Sequence, residues 1–192
     1  MLRISETILK TGQIDAMKVW YRRALEVDVL FEHAPAPNTR PGDYGGQTRA
    51  ADLRMCFFRI SGDDYPYTQM IGLFEEPGIA ATAQRVAGLH HMQFMLPDLE
   101  SLIVKFEMFA AAGLRPHRST NHGVMTSFYY RDPDGNNVEF SAQNFPSLEA
   151  MTSFMHGDYF RHNPSGVELA DPEEFVACYR SGVPAAELTR LG

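Results

Sequence analysis

The stretch from Leu89 to Phe140 holds an imidazole and a carboxylate in a pattern that suits a metal ion. His91 stands in the run 88–94 (GLHHMQF), and Glu139 stands in the run 137–142 (NVEFSA). Short runs of this kind, rich in apolar and β-forming residues, predict strands. Because histidine nitrogen and carboxylate oxygen are both ligands of first-row divalent metals, we expect the two side chains to share one such ion.

Each of these residues also has an ordinary structural alternative. A histidine on an apolar strand, taken alone, is more often hydrogen-bonded in the core than bound to a metal. A glutamate in an apolar strand is costly to bury unless it is paired, so Glu139 would otherwise point into solvent. Because side chains alternate along a strand, we expect His90 to point away from His91, and only one of Tyr129 and Tyr130 to face a pocket.

The rest of this stretch predicts the elements that hold the two residues in place. A strand over 89–96 is followed by Asp98, a residue type that caps helix N-termini. Apolar residues then recur at helical spacing up to Gly113, which stands where a glycine commonly ends a helix. The segment 132–135 (DPDG) predicts a tight turn. The further predicted strands are 114–118, 124–131 and 137–142.

The first 75 residues carry the same kinds of element in the same order. Ile14, Met17 and Tyr21 fall on one face of a predicted helix. A loop rich in proline and glycine covers 34–50, and loops of this length are usually functional or mobile. The predicted elements are a strand at 2–10, a helix at 14–26, strands at 27–31, 53–60 and 67–74, and a turn at 61–64.

The two halves also match residue by residue when the first is shifted by 85 positions, which indicates an internal repeat. The matched pairs are Glu6 with His91, Leu9 with Phe94, Ile14 with Leu99, Met17 with Leu102, and Tyr21 with Phe106. We therefore expect an α+β fold of two paired β-α-β-β-β modules that form a cupped mixed sheet, whose cup is the natural ligand pocket. The expected boundaries are a first module at 1–75, a linker at 76–87 and a second module at 88–145.

The segment 146–192 lacks this pattern and is predicted to be a helical C-terminal extension. Asp171 stands at an N-cap position and Pro172 follows it at the first helical position. We expect two helices that cover the sheet or join a dimer interface.

Composition excludes several classes of partner. The 192-residue chain has 17 lysines and arginines against 24 acidic residues, a formal net charge of −7, and no basic run, which argues against nucleic-acid binding. No apolar stretch approaches the length of a membrane span, and the N-terminus does not read as a signal peptide. The chain contains two cysteines, Cys56 and Cys178, which we expect to be buried free thiols in a reducing, cytoplasmic setting.

Three sequences carry a resemblance to a known superfamily: 88–94 (GLHHMQF), 97–99 (PDL) and, most specifically, 127–140 (SFYYRDPDGNNVEF). They are similar to the vicinal oxygen chelate superfamily, which includes glyoxalases and type I extradiol dioxygenases built from paired β-α-β-β-β modules. The resemblance covers about 2–145 and extends more loosely into the tail. With His122 upstream of Ser127-Phe128-Tyr129 and with Glu139, the chain most resembles single-chain, two-module extradiol dioxygenases.

The resemblance implies a set of site residues. It places metal ligands at His91 and Glu139 and a third ligand position at Glu6, where the dioxygenases have histidine. Glu6 either binds the metal in a more oxygen-rich site or leaves the site weakened. Tyr129 corresponds to a tyrosine that holds the substrate hydroxyl. His117 or His122 corresponds to the pocket acid or base, and the spacing does not decide between them.

The resemblance also implies an activity. It implies an extradiol dioxygenase that uses Fe(II), with Mn, Zn or Ni as alternative ions, and acts on a small catechol-type aromatic with O2. The alternatives are a glyoxalase-like, metal-dependent lyase or isomerase, which Glu6 favours, and a binding protein that kept the fold without the chemistry. We expect no nucleic-acid or membrane partner, and a homodimer or higher homo-oligomer.

Overall fold

The computed structural model describes residues 3–40, 42, 48–64, 67–79 and 89–191. The chain divides into two compact units, the first made of Met1–Val86 with Asp132–Gly135 and the second of Ala87–Arg131 with Asn136–Gly192. Most of the predicted linker 76–87 and part of the predicted loop 34–50 lie outside the described residues.

In its described residues, the first unit contains a four-stranded mixed sheet, one α-helix and a short 3-10 helix at Ala50–Asp52. Its strands lie in the order β1-β4-β3-β2, in which β1 is parallel to β4 and the other pairs are antiparallel. Helix α1 buries Ile14, Met17 and Tyr21, as its apolar spacing predicts. The elements are β1 (Glu6–Thr11), α1 (Ile14–Leu25), β2 (Val29–His33), β3 (Met55–Asp64) and β4 (Tyr67–Glu75).

The second unit repeats this arrangement and adds one strand. Its strands lie in the order β5-β8-β7-β6-β9, where β9 is Val167–Glu168, and β5 is parallel to β8 as β1 is to β4. The two parallel pairs and the helix starts at Ile14 and Leu99 agree with the repeat predicted from the sequence. The elements are β5 (Met92–Leu96), α2 (Leu99–Ala111), β6 (Arg118–Asn121), β7 (Met125–Arg131) and β8 (Asn137–Gln143).

The helix boundaries follow the signals that the sequence gives. The Asp98 side chain accepts a hydrogen bond from the Ser101 amide at 2.8 Å, which confirms the predicted N-cap. This bond lowers the pKa of Asp98. Gly113 has a φ of +76°, as its predicted place after the helix requires. Helix α1 ends at Leu25, one residue earlier than predicted, because Glu26 adopts the left-handed conformation at φ 56°.

Two of the predicted elements, one turn and one strand, are wrong. The predicted turn at 61–64 belongs to β3, which continues to Asp64 through shifts in its pairing with β4. The predicted strand at 114–118 is displaced toward the C-terminus, and β6 runs from Arg118 to Asn121. In both places polar residues continue the ladder, because tertiary pairing outweighs local composition.

The C-terminal extension contains four short helices and a strand, where two helices were expected. Its elements are α3 (Leu148–His156), α4 (Asp158–His162), β9 (Val167–Glu168), α5 (Pro172–Arg180) and α6 (Ala185–Leu188). Strand β9 pairs with β6 at the edge of the sheet. Asp171 caps α5 through the amides of Glu173 and Glu174, as predicted. Arg180 on α5 forms ion pairs with Glu100 and Glu107 on α2 at 2.7 and 2.8 Å.

Both cysteines are free thiols: Cys56 is buried, and Cys178 is half-buried, which is more exposed than predicted. Within the described ranges, none of the helices is long and apolar enough to cross a membrane.

Candidate metal centre

The central strands of the second unit place three polar side chains in one row. Glu139 on β8 pairs directly with Gln93 on β5 and with Tyr129 on β7. Residues that oppose each other across neighbouring strands project from the same face of a sheet, so these three share one face.

The Glu139 carboxylate is buried, with 2% of the residue exposed, which contradicts the alternative that it points into solvent. Its Oε1 accepts hydrogen bonds from the Ser141 hydroxyl at 3.1 Å and from Gln93 Nε2 at 3.4 Å. Ser141 in turn lies 3.0 Å from the Ser127 hydroxyl and accepts from Gln93 at 2.9 Å. These donors stabilise a buried negative charge and hold one carboxylate oxygen, while the other remains directed at His91.

His91 lies against the second carboxylate oxygen. Its Nε2 is 3.2 Å from Glu139 Oε2, and 36% of its side chain is exposed. Its Nδ1 is 2.7 Å from Nδ1 of His90, so one ring donates to the other. The expectation that His90 points away from His91 is wrong. Strand β5 begins at Met92, and the strict alternation of a strand does not extend back to these two residues.

The spacing of this pair fits a shared divalent ion. Ligand atoms that each lie about 2.1 Å from one ion, at roughly a right angle, are about 3 Å apart. Both side chains also have hydrogen-bond partners of the kind that orient metal ligands, which are His90 for His91 and the Ser141–Gln93 pair for Glu139. The arrangement therefore suits one nitrogen and one oxygen ligand to the same cation.

The third predicted ligand, Glu6, lies in the other unit. It is exposed at the start of β1, where it pairs with Met70 of β4. Among the residues that the structure describes, no group of three or more histidine, cysteine, aspartate or glutamate side chains is arranged to hold a metal. The described site is thus a pair, His91 and Glu139.

Tyr129 and His122 form a second polar pair on the same sheet. The Tyr129 hydroxyl lies 2.9 Å from Nε2 of His122, and its ring centroid is 6.3 Å from that of His91. Burial raises the pKa of Tyr129 well above its usual range, and the neighbouring Glu139 carboxylate raises it further. The phenol therefore stays protonated at neutral pH and is a hydrogen-bond donor there.

The other candidate histidine has a different partner. His117 is exposed, and its Nε2 lies 2.9 Å from Oδ1 of Asn137, while its ring centroid is 6.4 Å from that of Tyr129. Of the two histidines that the spacing leaves open, His122 is the one with a ring nitrogen at the Tyr129 hydroxyl.

Tyr130 faces the opposite side of the sheet and is part of the core. Its ring packs against Phe109 of α2 at 4.5 Å and against Phe140 at 6.0 Å. Its hydroxyl is buried without a hydrogen-bond partner among the described residues. Burial raises the pKa of Tyr130.

Sequence reasoning missed the residues that support the pair. Gln93, Ser127 and Ser141 alternate with apolar residues in strands β5, β7 and β8, at the same phase as Glu139 and Tyr129. This alternation could have predicted them, because polar residues at every second position of an otherwise apolar strand indicate a polar face. The partner of His122 in the C-terminal extension, the main-chain oxygen of Ser165 at 2.9 Å, has no such signal.

Comparison of the sequence with known proteins identifies the family of this chain. The model of the Glyoxalase/Bleomycin resistance protein/Dioxygenase superfamily matches residues 3–140. The chain is 33% identical over 189 residues to biphenyl-2,3-diol 1,2-dioxygenase 3 of Rhodococcus globerulus, covering 97% of this chain and 87% of that protein. It is 27% identical over 188 residues to biphenyl-2,3-diol 1,2-dioxygenase 2 of the same organism, covering 97% and 86%.

A solved structure supports the fold. The glyoxylase/bleomycin resistance protein/dioxygenase domain from Frankia sp. superposes with a TM-score of 0.57 at 19% identity, covering 74% of this chain and 98% of that domain. The family match spans both β-α-β-β-β repeats almost completely, and the repeats have the same strand order. The chain therefore belongs to the glyoxalase/bleomycin resistance protein/dioxygenase superfamily.

Proposed function

We propose that this protein is a metal-dependent extradiol dioxygenase that cleaves the ring of a catechol-type aromatic with O2. The observation that carries the proposal is the approach of His91 Nε2 to Glu139 Oε2 at 3.2 Å, on the sheet face that also presents Tyr129. The 33% identity to a biphenyl-2,3-diol 1,2-dioxygenase over nearly the whole chain supports the reaction class.

In this proposal His91 and Glu139 hold the ion, and a third ligand at Glu6 stays a prediction from the resemblance. A ferrous ion, when bound, would accept both oxygens of an aromatic diol and pass electron density from the ring to dioxygen. The protein contributes a carboxylate whose Oε1 is already held by Ser141 and Gln93, so that Oε2 remains for the ion.

In this proposal Tyr129 orients the substrate and His122 transfers its proton. The raised pKa of Tyr129 keeps its hydroxyl protonated, so when substrate binds the hydroxyl can turn its one proton from Nε2 of His122 to a substrate oxygen and fix that oxygen's position. In this proposal His122 Nε2, which lies 2.9 Å from that hydroxyl, takes a proton from the substrate and returns it to the product. His117 is not assigned this role, because its ring nitrogen is engaged by Asn137.

The experiment that tests the function is anaerobic purification, reconstitution with Fe(II), and assay with catechol and biphenyl-2,3-diol. We expect stoichiometric metal, consumption of O2 and a yellow ring-fission product. Stoichiometric metal without O2 consumption for any vicinal diol would contradict the dioxygenase assignment.

The metal ligand itself is tested with His91→Ala. Because this change removes the nitrogen ligand, we expect metal binding and turnover to be lost while the fold is retained. His156→Ala, at the C-terminal end of α3, is the matched control and should bind metal normally. Full metal stoichiometry in His91→Ala would refute the site.

A metal-dependent lyase or isomerase is the second candidate, and Glu6 is the observation that favours it. A set of two carboxylates and one imidazole is harder and more negative than one with two imidazoles, and it suits ions that polarise a substrate oxygen. Metal-dependent conversion of a thiohemiacetal or an epoxide without uptake of O2 would favour this candidate. A protein that binds a diol but no metal would favour a binding function.

A further inference from the structure

A segment of the C-terminal extension lies directly against His122. The segment Asn163–Leu169, called here the tail segment, contains β9 and pairs with β6 through Val167 opposite Asn121. The amide of Leu169 donates to the Ser119 carbonyl at 2.9 Å and extends the pairing by one bond. Strand β9 within the tail segment is therefore the fifth strand of the sheet that carries Tyr129 and Glu139.

Side-chain contacts also hold β9 against β6. Glu168 pairs with Arg118 at 2.6 Å and accepts from the Thr120 hydroxyl at 3.1 Å. The hydrogen bond from Arg118 lowers the pKa of Glu168. Arg118 also lies over the ring of Tyr129 at 5.1 Å, so the same residue contacts the strand and the tyrosine of the site.

Gly166 permits the close approach of the tail segment. Its φ is +74°, and a Cβ built at this position would lie 2.5 Å from the Cα of His122 and 2.8 Å from the carbonyl carbon of Asn121. These are main-chain atoms at the end of β6 and just beyond it, and they cannot rotate away as a side chain can. Any residue other than glycine would therefore displace the tail segment from His122.

The contact made at this point is a hydrogen bond between Nδ1 of His122 and the main-chain oxygen of Ser165, at 2.9 Å. We propose that the tail segment, with Gly166 as its positioning residue, fixes the tautomer of His122, so that Nδ1 carries the proton and Nε2 presents its lone pair toward Tyr129. This inference rests on the proposed role of His122 as the acid or base of the dioxygenase reaction.

The chemistry of the two partners determines this tautomer. A carbonyl oxygen only accepts, so the Ser165 contact requires a proton on Nδ1. In the neutral ring Nε2 then has a free lone pair, and the Tyr129 hydroxyl, which is protonated, donates to it at 2.9 Å. A histidine without the carbonyl would exchange its proton between the two nitrogens and spend part of its time unable to accept.

The direct test is the tautomer of His122 in the metal-free, full-length protein. Long-range ¹H–¹⁵N NMR spectra at about pH 8.5, where an ordinary imidazole is neutral, distinguish the two protonation sites. We expect the proton on Nδ1. A proton on Nε2, or averaging between the two nitrogens, would overturn the proposal whatever the activity of the protein.

Gly166→Ala tests the consequence, with Gly113→Ala as its matched control. The two glycines have nearly the same φ, +74° and +76°, but a Cβ at Gly113 meets nothing within 4 Å. We expect Gly166→Ala to lose the Nδ1 signature and to lower kcat at least about tenfold, since a positioned acid or base contributes 10²–10⁴-fold. KM and metal stoichiometry should change little.

Gly113→Ala should keep both the signature and kcat. Equal kcat in the two variants, or a normal His122 signature in Gly166→Ala, would overturn the proposal. If Gly166→Ala does not fold, the spectrum of the unaltered protein decides alone. Absence of ring cleavage in the unaltered protein would defeat the proposed function, and the NMR result would still decide the tautomer.

Discussion

The two repeats place different residues at the same three positions of the same sheet. In the second unit, Glu139 lies between Gln93 and Tyr129. At the matching positions of the first unit, Gly72 of β4 lies between Ile8 and Phe57. Both triads join a parallel and an antiparallel neighbour.

In the first unit, apolar side chains occupy the space that corresponds to the Glu139 carboxylate in the second unit. A Cβ at Gly72 would lie 2.5 Å from Cδ1 of Ile8 and 2.9 Å from Cε1 of Phe57. The ring of Phe57 also packs against Phe31 and Phe74, at 6.3 and 5.8 Å. The side chains of the strands on either side thus close over the glycine, whereas in the second unit Gln93 of β5 donates a hydrogen bond to Glu139.

The difference extends to the next pair along the strands. Ser127 and Ser141, which support Glu139, correspond to Met55 and Phe74 in the first unit. The backbone topology is therefore compatible with either a polar or an apolar face. What makes one of them a candidate metal site is the set of side chains at cross-strand positions, since function depends on the site rather than on the fold.

The largest expected effect comes from removing the carboxylate with Glu139→Gln. Loss of an outer partner typically weakens a metal site about 10–100-fold, so loss of the charged ligand itself should exceed about 100-fold. Anaerobic titration with Fe(II) measures this change. Glu75→Gln on β4 is the control, because it removes only an ion pair with Arg54, worth about 0–1 kcal/mol. Equal Fe(II) affinities in Glu139→Gln and Glu75→Gln would contradict the assignment of the metal site to the second sheet.

An intermediate effect is expected from adding a methyl group in the first unit with Gly72→Ala. The new Cβ would overlap Ile8 and Phe57, and overpacking of this kind costs about 1–3 kcal/mol of the free energy of unfolding. Urea denaturation measures the loss. In an Ile8→Val background, which removes the Cδ1 atom, the penalty should shrink; an unchanged penalty would show that the glycine is needed for another reason.

The smallest effect is expected from Tyr130→Phe. Tyr130 lies on the opposite face of β7 from Tyr129, and Phe58 of β3 occupies the matching position in the first unit. Both are buried, but Tyr130 carries a hydroxyl without a partner among the described residues. We expect Tyr130→Phe to raise the free energy of unfolding by about 1 kcal/mol at neutral pH, because it removes an unpaired buried hydroxyl.

The same substitution should alter the pH dependence of stability. The pKa of Tyr130 is raised in the folded state, so the folded protein retains the proton after the unfolded chain has lost it. Stability is then intact below about pH 10, the ordinary tyrosine value, and falls as pH rises above it, by up to about 1.4 kcal/mol per pH unit for each such group. The free energy of unfolding of the Tyr130→Phe variant should fall less steeply above that pH. Parallel curves of stability against pH for the variant and the unaltered protein would contradict the prediction.

The sequence predicts the repeat and the helices well, because their signals are local. The apolar spacing from Ile14 and the capping residue Asp98 determine where α1 and α2 begin. The family resemblance also singles out His91 and Glu139, and the pairing of β5, which begins one residue after His91, with β8 brings them near each other.

The remaining features depend on contacts between distant parts of the chain. Residues 61–64 look like a turn in isolation, yet they lie in β3 because β4 pairs with them. The main-chain oxygen at Ser165 has no side-chain signal at all, so its contact with His122 is invisible to any pattern of residue types. The helical tail was expected for the same reason, since a two-residue strand such as β9 leaves no periodicity.

The region that matches the family model ends at residue 140, while the oxygen that contacts His122 belongs to residue 165. The proposed ion ligands therefore lie inside the matched region, while the contact proposed to fix the tautomer of His122 lies outside it. A relative with the same core and a different C-terminal extension is then expected to keep the ligand pair and to lose this contact.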